Sequence, residues 1–181
     1  KYMLLCQLDV IVLQNNLKKF LSYNFSYIGA PSGKKNPFDR RRKKLWGRRY
    51  FCNGGFSLRK VEDFINVLKS NKIFTPFNYL CMYEANKSGY WRYIFLYLKT
   101  YFSDSKNKGE FFAKNFYLHE DSFWTYFGKL FYKNYKLPTI NQSNDFCFDG
   151  DPDFFYKKNK MNLPMALHGH HEYIKFLRKL D

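Results

Sequence analysis

The chain opens on a continuous apolar run, Tyr2-Met3-Leu4-Leu5-Cys6, which predicts a buried strand. Gln7-Leu8-Asp9 interrupts it, and a second apolar patch continues to Leu13. Leu17, Phe20 and Leu21 then fall at i, i+3, i+4 and predict a short amphipathic helix. Phe25 to Ile28 reads as a strand that Gly29-Ala30-Pro31 ends in a turn. Arg49-Tyr50-Phe51-Cys52 leads into an Asn53-Gly54-Gly55 turn and a further apolar segment, Phe56-Ser57-Leu58-Arg59. Val61, Phe64, Ile65 and Leu68 at i, i+3, i+4, i+7 predict the next helix.

Residues 73–118 are aromatic throughout, with a helix predicted around Trp91–Tyr101 and a polar loop over 103–110. Phe123, Phe127, Leu130 and Phe131 give the apolar face of a helix that starts at Glu120-Asp121. Pro138 to Asp153 reads as loop-rich around Phe146-Cys147-Phe148. Met165-Ala166-Leu167 forms a short apolar strand before His168-Gly169-His170-His171, and Tyr173, Phe176, Leu177 and Leu180 mark a last helix. Strands alternate with helices and no internal repeat is present, so the expected class is a layered α/β fold.

Length and composition fit that picture. The 181 residues, 45% apolar and 25% charged, suffice for one domain with its own core. The aromatic share of 22% carries little functional weight, because an AT-rich coding sequence enriches Phe, Tyr, Lys and Asn together. Lys1 is followed at once by a strand, so further sequence is expected upstream. No apolar run approaches the roughly 20 residues of a membrane span, and no signal peptide is visible. Cys6, Cys52, Cys81 and Cys147 form no CxxC pair, which excludes a zinc ribbon and predicts reduced core thiols in a cytoplasmic protein.

Charge changes the picture more. Thirty-one basic against fifteen acidic residues leave +16. Half of that excess lies in Lys34–Arg49, a loop in which Asp39 is the one acid. Such a surplus suits nucleic acid, an anionic membrane face or a phosphorylated substrate. A basic nucleic-acid-binding module is therefore one reading, ranked low because it leaves Glu120-Asp121 and the histidines idle. The loop is expected to serve an anionic acceptor or an anionic membrane surface, the latter giving a cytoplasmic protein with membrane association.

The histidines gather beside two short motifs. His119 adjoins Glu120-Asp121, and His168, His170 and His171 follow the late strand. An Asp with one His and several waters suits Mn²⁺ or Mg²⁺ bridging phosphates better than a closed zinc site. Asp9 ends an apolar strand, where an α/β sheet places ligand-binding residues. Asn53-Gly54-Gly55 permits positive φ and close approach of backbone to a ligand.

The order of these segments is specific. Gln7-Leu8-Asp9, Tyr27-Ile28-Gly29-Ala30-Pro31, Asn53-Gly54-Gly55-Phe56-Ser57-Leu58-Arg59, Glu120-Asp121-Ser122-Phe123-Trp124 and Ala166-Leu167-His168-Gly169 follow one another along residues 1–175. The chain thereby resembles a family of glycosyltransferase-like domains catalogued as a domain of unknown function. The resemblance implies a GT-A-like nucleotide-sugar transferase fold, a mixed sheet flanked by helices. It implies one catalytic domain over 1–181, the C-terminal part of a longer chain and lacking the N-terminal half that binds the nucleobase. The implied activity moves a sugar from a nucleotide-sugar donor to a glycan or other hydroxyl acceptor, as in cell-surface glycan synthesis. A non-catalytic glycan-binding relative is the alternative within the same resemblance.

Roles carry over residue by residue. Asp9 and His168 are the implied metal residues, for Mn²⁺ or Mg²⁺. Asp121, with Glu120 beside it, is the implied base for the acceptor hydroxyl. Gln7, Asn53, Gly54, Gly55, Ser57, Arg59 and Trp124 are implied in donor and acceptor binding. The strand carries one acid rather than two, Ser32 stands where the family tends to have Trp, and the 34–49 loop is more basic than the resemblance demands.

Overall fold

In the computed structural model, which describes residues 1–31, 52–73, 87–116 and 119–178, the elements divide between two units. All six strands belong to the first. β1 (Tyr2–Cys6), β3 (Tyr27–Pro31) and β4 (Cys52–Lys60) form an antiparallel sheet in the order β1-β4-β3. β2 (Val10–Val12), β5 (Cys147–Asp149) and β6 (Ala166–His168) form a second, mixed sheet in the order β2-β6-β5. β5 and β6 run parallel, while β2 is antiparallel to β6. The fold is thus α/β with two small sheets flanked by helices.

Parallel neighbours need a crossover, and α8 (Pro152–Lys158) supplies it. Its start is written in the sequence: Asp151 accepts a bond from Phe154 N at 3.2 Å, and Pro152 opens the first turn. β5 and β6 are apolar on both faces because both faces are covered. Cys147 and Ala166 join a cluster with Phe20, Ile28, Phe56 and Phe146. Phe148 and Leu167, one residue on, point into the opposite cluster with Phe155, Tyr173 and Phe176. Each such buried Phe or Leu contributes about 2 kcal/mol. The strands' third residues, Asp149 and His168, emerge from this double core.

α1 (Leu17–Ser22), α7 (Ile140–Phe146) and α9 (His170–Leu177) complete the unit. α7 and β5 occupy the stretch expected to be loop-rich. Thr139 and Gln142 form a reciprocal capping box there, which outweighs the poor helix propensity of Asn-Gln-Ser-Asn.

Other expectations also change. β1 is an edge strand with Met3 and Leu4 exposed, so it is apolar without being buried. Gly29-Ala30-Pro31 continues β3 instead of ending it. Asn53-Gly54-Gly55 likewise lies within β4, in a bulge: Gly29 pairs Ser57, whereas Ala30 pairs Asn53. Neither Gly54 nor Gly55 has positive φ. Cys6 is exposed, so it is not a core thiol; Cys147 is buried, and burial pushes its thiol well above the usual range. The basic loop 34–49, Cys81 and the side chain of Cys52 lie outside the described residues.

The described residues of the second unit form helices: α2 (Val61–Leu68) from Glu62 onward, α3 (Lys87–Tyr101), α4 (Lys108–Asn115), α5 (Glu120–Tyr126) and α6 (Gly128–Phe131). α4 begins inside the segment expected to be a polar loop. Phe112, Phe123, Phe127 and Phe131 form its aromatic core, with Phe112 ring centroids 5.0–6.1 Å from the others. Gly109 lets α4 meet α2: a Cβ there would strike the Val67 carbonyl.

Candidate functional site

Asp149 and His168 are the last residues of adjacent parallel strands, paired in register. Each is followed by a glycine in the left-handed region, Gly150 at φ 86° and Gly169 at φ 89°. Both strands therefore turn away sharply and leave a side chain standing at the carboxyl edge of the sheet, where α/β folds bind ligands. The loop between β1 and β2 is pinned over the same edge. Gln7 N donates to Gly55 O at 2.9 Å, Val10 N to Gln7 O at 3.2 Å, and Gly169 N to Asp9 O at 3.1 Å.

These backbone ties bring four side chains together. His168 Nδ1 lies 3.0 Å from Asp149 Oδ1, and His168 Nε2 lies 2.9 Å from Gln7 Oε1 and 3.5 Å from Asp9 Oδ1. The Asp149 carboxylate can only accept, so it fixes a proton on Nδ1, and the Gln7 amide faces Nε2. The hydrogen bond that His168 donates to Asp149 holds the histidine's pKa above its ordinary 6.5; partial burial opposes it, and the charges of Asp149 and Asp9 add to the rise. Asp9 is more open to solvent than the histidine, 40% against 12% for the side chains.

Gly55 completes the cluster by what it lacks. A Cβ there would come within 2.6 Å of both Gln7 Oε1 and His168 Cε1, and closer still to Nε2. The glycine is thus required by close approach of side chains, not by its φ. Its own N–H is held by Asn53 Oδ1 at 2.6 Å. Arg59 Nε donates to Ser57 Oγ at 2.9 Å, and that hydroxyl donates to Gly54 O at 3.0 Å. Ser57 and Arg59 are buried, so their visible role is to hold the bulged Gly54-Gly55 backbone.

The whole cluster lies within the first 168 residues. A family model described as a protein of unknown function (DUF5672) matches residues 1–168. The chain belongs to that family. No curated protein and no solved structure matches it. The DUF5672 match runs from β1 through His168 and so spans Gln7, Asp9, Gly55, Asp149 and His168.

Of the residues singled out in this DUF5672 chain, Gln7, Asp9, Gly55 and His168 meet, with Asn53 and Gly54 supporting them. Glu120, Asp121 and Trp124 belong to the second unit. Asp121 Oδ1 accepts from Ser122 N at 2.8 Å, and Glu120 is exposed. Trp124 sits in the aromatic core, stacked on Phe64 with centroids 3.8 Å apart. His119 is exposed beside them, and His170 and His171 are the first residues of α9.

Asp149 was missed by sequence reasoning. A signal exists: Cys147-Phe148-Asp149-Gly150 repeats the form of Ala166-Leu167-His168-Gly169, an apolar run, a titratable residue and a glycine.

The donor set is one imidazole nitrogen, one carboxylate and one amide oxygen, backed by a second carboxylate on the far ring nitrogen. Among the described residues no group of three or more His, Cys, Asp or Glu is gathered to hold a metal. The set therefore does not fit a closed zinc site. The chemistry of these donors suits Mn²⁺ or Mg²⁺ that takes its remaining oxygens from phosphate and water. No helix among the described residues is long and apolar enough to cross a membrane.

Proposed function

We propose that this chain is a glycosyltransferase that moves a sugar from a nucleotide-sugar donor to a hydroxyl acceptor, on a GT-A-like fold. The observation that carries the reading is the meeting of His168 Nε2 with Gln7 and Asp9 over Gly55, at the carboxyl edge of parallel strands. Residues widely separated in sequence converge there without any need of the core, and the edge position is that of a ligand site.

Asp9 and His168 would hold Mn²⁺ or Mg²⁺, which when bound supplies positive charge for the departing diphosphate. The chain's own residues do the rest. Asp149 holds the proton on Nδ1, so that Nε2 is the nitrogen that gives up its proton to become a ligand. Gly55 lets the His168 ring and the Gln7 amide close on its backbone, and Asn53, Ser57 and Arg59 fix that backbone. The resemblance assigns Asp121 the proton of the acceptor hydroxyl, with Glu120 as its neighbour. A sugar hydroxyl is too weak a nucleophile to react without such a base.

The test is a screen of nucleotide-sugars for Mn²⁺-dependent donor hydrolysis or transfer, with Asp9→Asn beside the wild type. Turnover of one donor that is lost in Asp9→Asn is expected. No turnover of any donor, or turnover indifferent to Asp9, would remove the reading.

A further inference from the structure

The inward face of α3 is conventional. Leu96 and Thr100 are buried; on the flank between the two faces, exposed Lys99 Nζ donates to Asn115 Oδ1 of α4 at 2.7 Å. The outward face is the anomaly. Trp91, Phe95, Leu98 and Phe102 recur at i, i+4, i+7 and i+11 and are 70%, 68%, 43% and 75% exposed. At about 100° per residue they fall within roughly 60° of one another, a stripe about 16 Å long. Phe102 stays in line because its N–H bonds Leu98 O at 2.9 Å, continuing the helix by one residue. Large side chains exposed singly are ordinary, but a contiguous row of this length marks an interaction surface.

Charge identifies what covers it. α3 contains Lys87, Arg92 and Lys99 and no acid. Arg92 and Lys99, seven residues apart, run along one border of the stripe, about 90° round the helix. A cleft of about 430 Å³ lies at this border, lined by Trp91, Arg92, Phe95, Leu96, Lys99 and Asn115. A second copy of the chain would bring one cationic border against another, in a molecule already at +16. A bilayer rich in anionic lipid meets both demands: rings enter the headgroup–acyl boundary while cations pair with phosphates beside them. Trp and Phe are the residues that settle at that depth.

We infer that α3 docks this protein on an anionic membrane surface, with Trp91, Phe95, Leu98 and Phe102 inserted and Arg92 and Lys99 on lipid phosphate. The site is separate from the Asp9–His168 cluster and does not depend on glycosyl transfer. It also differs from the basic segment 34–49.

Co-sedimentation with vesicles tests it, using pure phosphatidylcholine and an equal mixture of phosphatidylcholine with phosphatidylserine. The wild type is expected to sediment with the mixed vesicles and to leave the neutral ones. Phe95→Ser with Phe102→Ser removes two exposed rings without touching the core, and circular dichroism checks that the fold survives. Binding to mixed vesicles should fall about a hundredfold, roughly tenfold per ring. The indole fluorescence should shift to the blue on mixed vesicles in the wild type and lose that shift in Trp91→Phe. Unchanged vesicle binding by the double variant would overturn the inference, since the basic segment alone would then suffice. Absence of wild-type binding would overturn it too, as would a concentration-dependent dimer that Phe95→Ser abolishes.

Discussion

Adding one methyl group at Gly55 should disable the Asp9–His168 cluster while leaving the fold almost as stable. An alanine Cβ at this position comes within 2.6 Å of Gln7 Oε1 and His168 Cε1, where ordinary contact begins at 3.4 Å. The His168 ring must therefore retreat by about 0.8 Å or more. The Gln7 amide can swing aside, since it is the end of a flexible chain on an exposed residue. The ring is tethered through Nδ1 to Asp149, so its retreat strains the 3.0 Å bond that orients it. Overpacking of this kind costs about 1–3 kcal/mol, and replacing a strand glycine by alanine returns about 0.5–1 kcal/mol. The net loss is about 1 kcal/mol, or a fall of about 2–4 °C in Tm for a chain of this size. Metal affinity should fall further, by about 10–100-fold, because the ligand's orientation is what the methyl group disturbs. Mn²⁺ titration followed by electron paramagnetic resonance reads the affinity, and calorimetry reads the Tm. Gly109→Ala is the contrast: its Cβ meets the Val67 backbone, so it should lower Tm more while folded molecules bind Mn²⁺ normally. Wild-type Mn²⁺ affinity in Gly55→Ala would refute the placement of the metal on His168. So would equal losses in both variants.

Two further outcomes follow from the same geometry and a third from the resemblance. Asp149→Asn should lower the His168 pKa seen by NMR and weaken Mn²⁺ binding about 10–100-fold, with partial recovery in Asp149→Glu; unchanged affinity would make Asp149 a bystander. In the metal-free chain the folded pKa of His168 is raised, so its stabilisation is complete below 6.5 and is lost as pH rises through the folded value; urea unfolding from mildly acidic to mildly alkaline pH should show that decline, and His168→Gln should flatten it. Asp121→Asn keeps the side chain's shape and removes a proton acceptor, so turnover should fall about 10²–10⁴-fold while donor binding survives; near-normal turnover there, with loss in Glu120→Gln, would reverse the two roles.

The helical periodicities were legible because they are local. The stripes at Val61–Leu68 and at Phe123–Phe131 fold as helices, and Leu17, Phe20 and Leu21 form α1. The errors arose where pairing across the chain overrides local signals. Gly29-Ala30-Pro31 and Asn53-Gly54-Gly55 both read as turns, yet they face each other across a β-bulge. Neither segment alone reveals that partnership. β1 was expected to be buried from its composition, but its place at a sheet edge is decided by β4, some fifty residues away. α7 was overlooked because its residues are polar, although the Thr139–Gln142 capping box was there to be read. Asp9 and His168 stood out as titratable residues at strand ends; their meeting needed the β2–β6 register, which pairs Val10 with His168. Asp149 is not legible, because the stretch 138–153, which contains the strand that presents it, reads as loop.

The central claim is that Asp9 and His168 hold the metal–diphosphate end of a nucleotide-sugar. Isothermal titration of nucleoside diphosphates into the protein, with and without Mn²⁺, tests it most directly, with Asp9→Asn and His168→Gln in parallel. One nucleoside diphosphate should bind the wild type only when Mn²⁺ is present, and both variants should lose that binding while keeping wild-type circular dichroism. Binding that ignores Mn²⁺, or that persists in both variants, would contradict the claim.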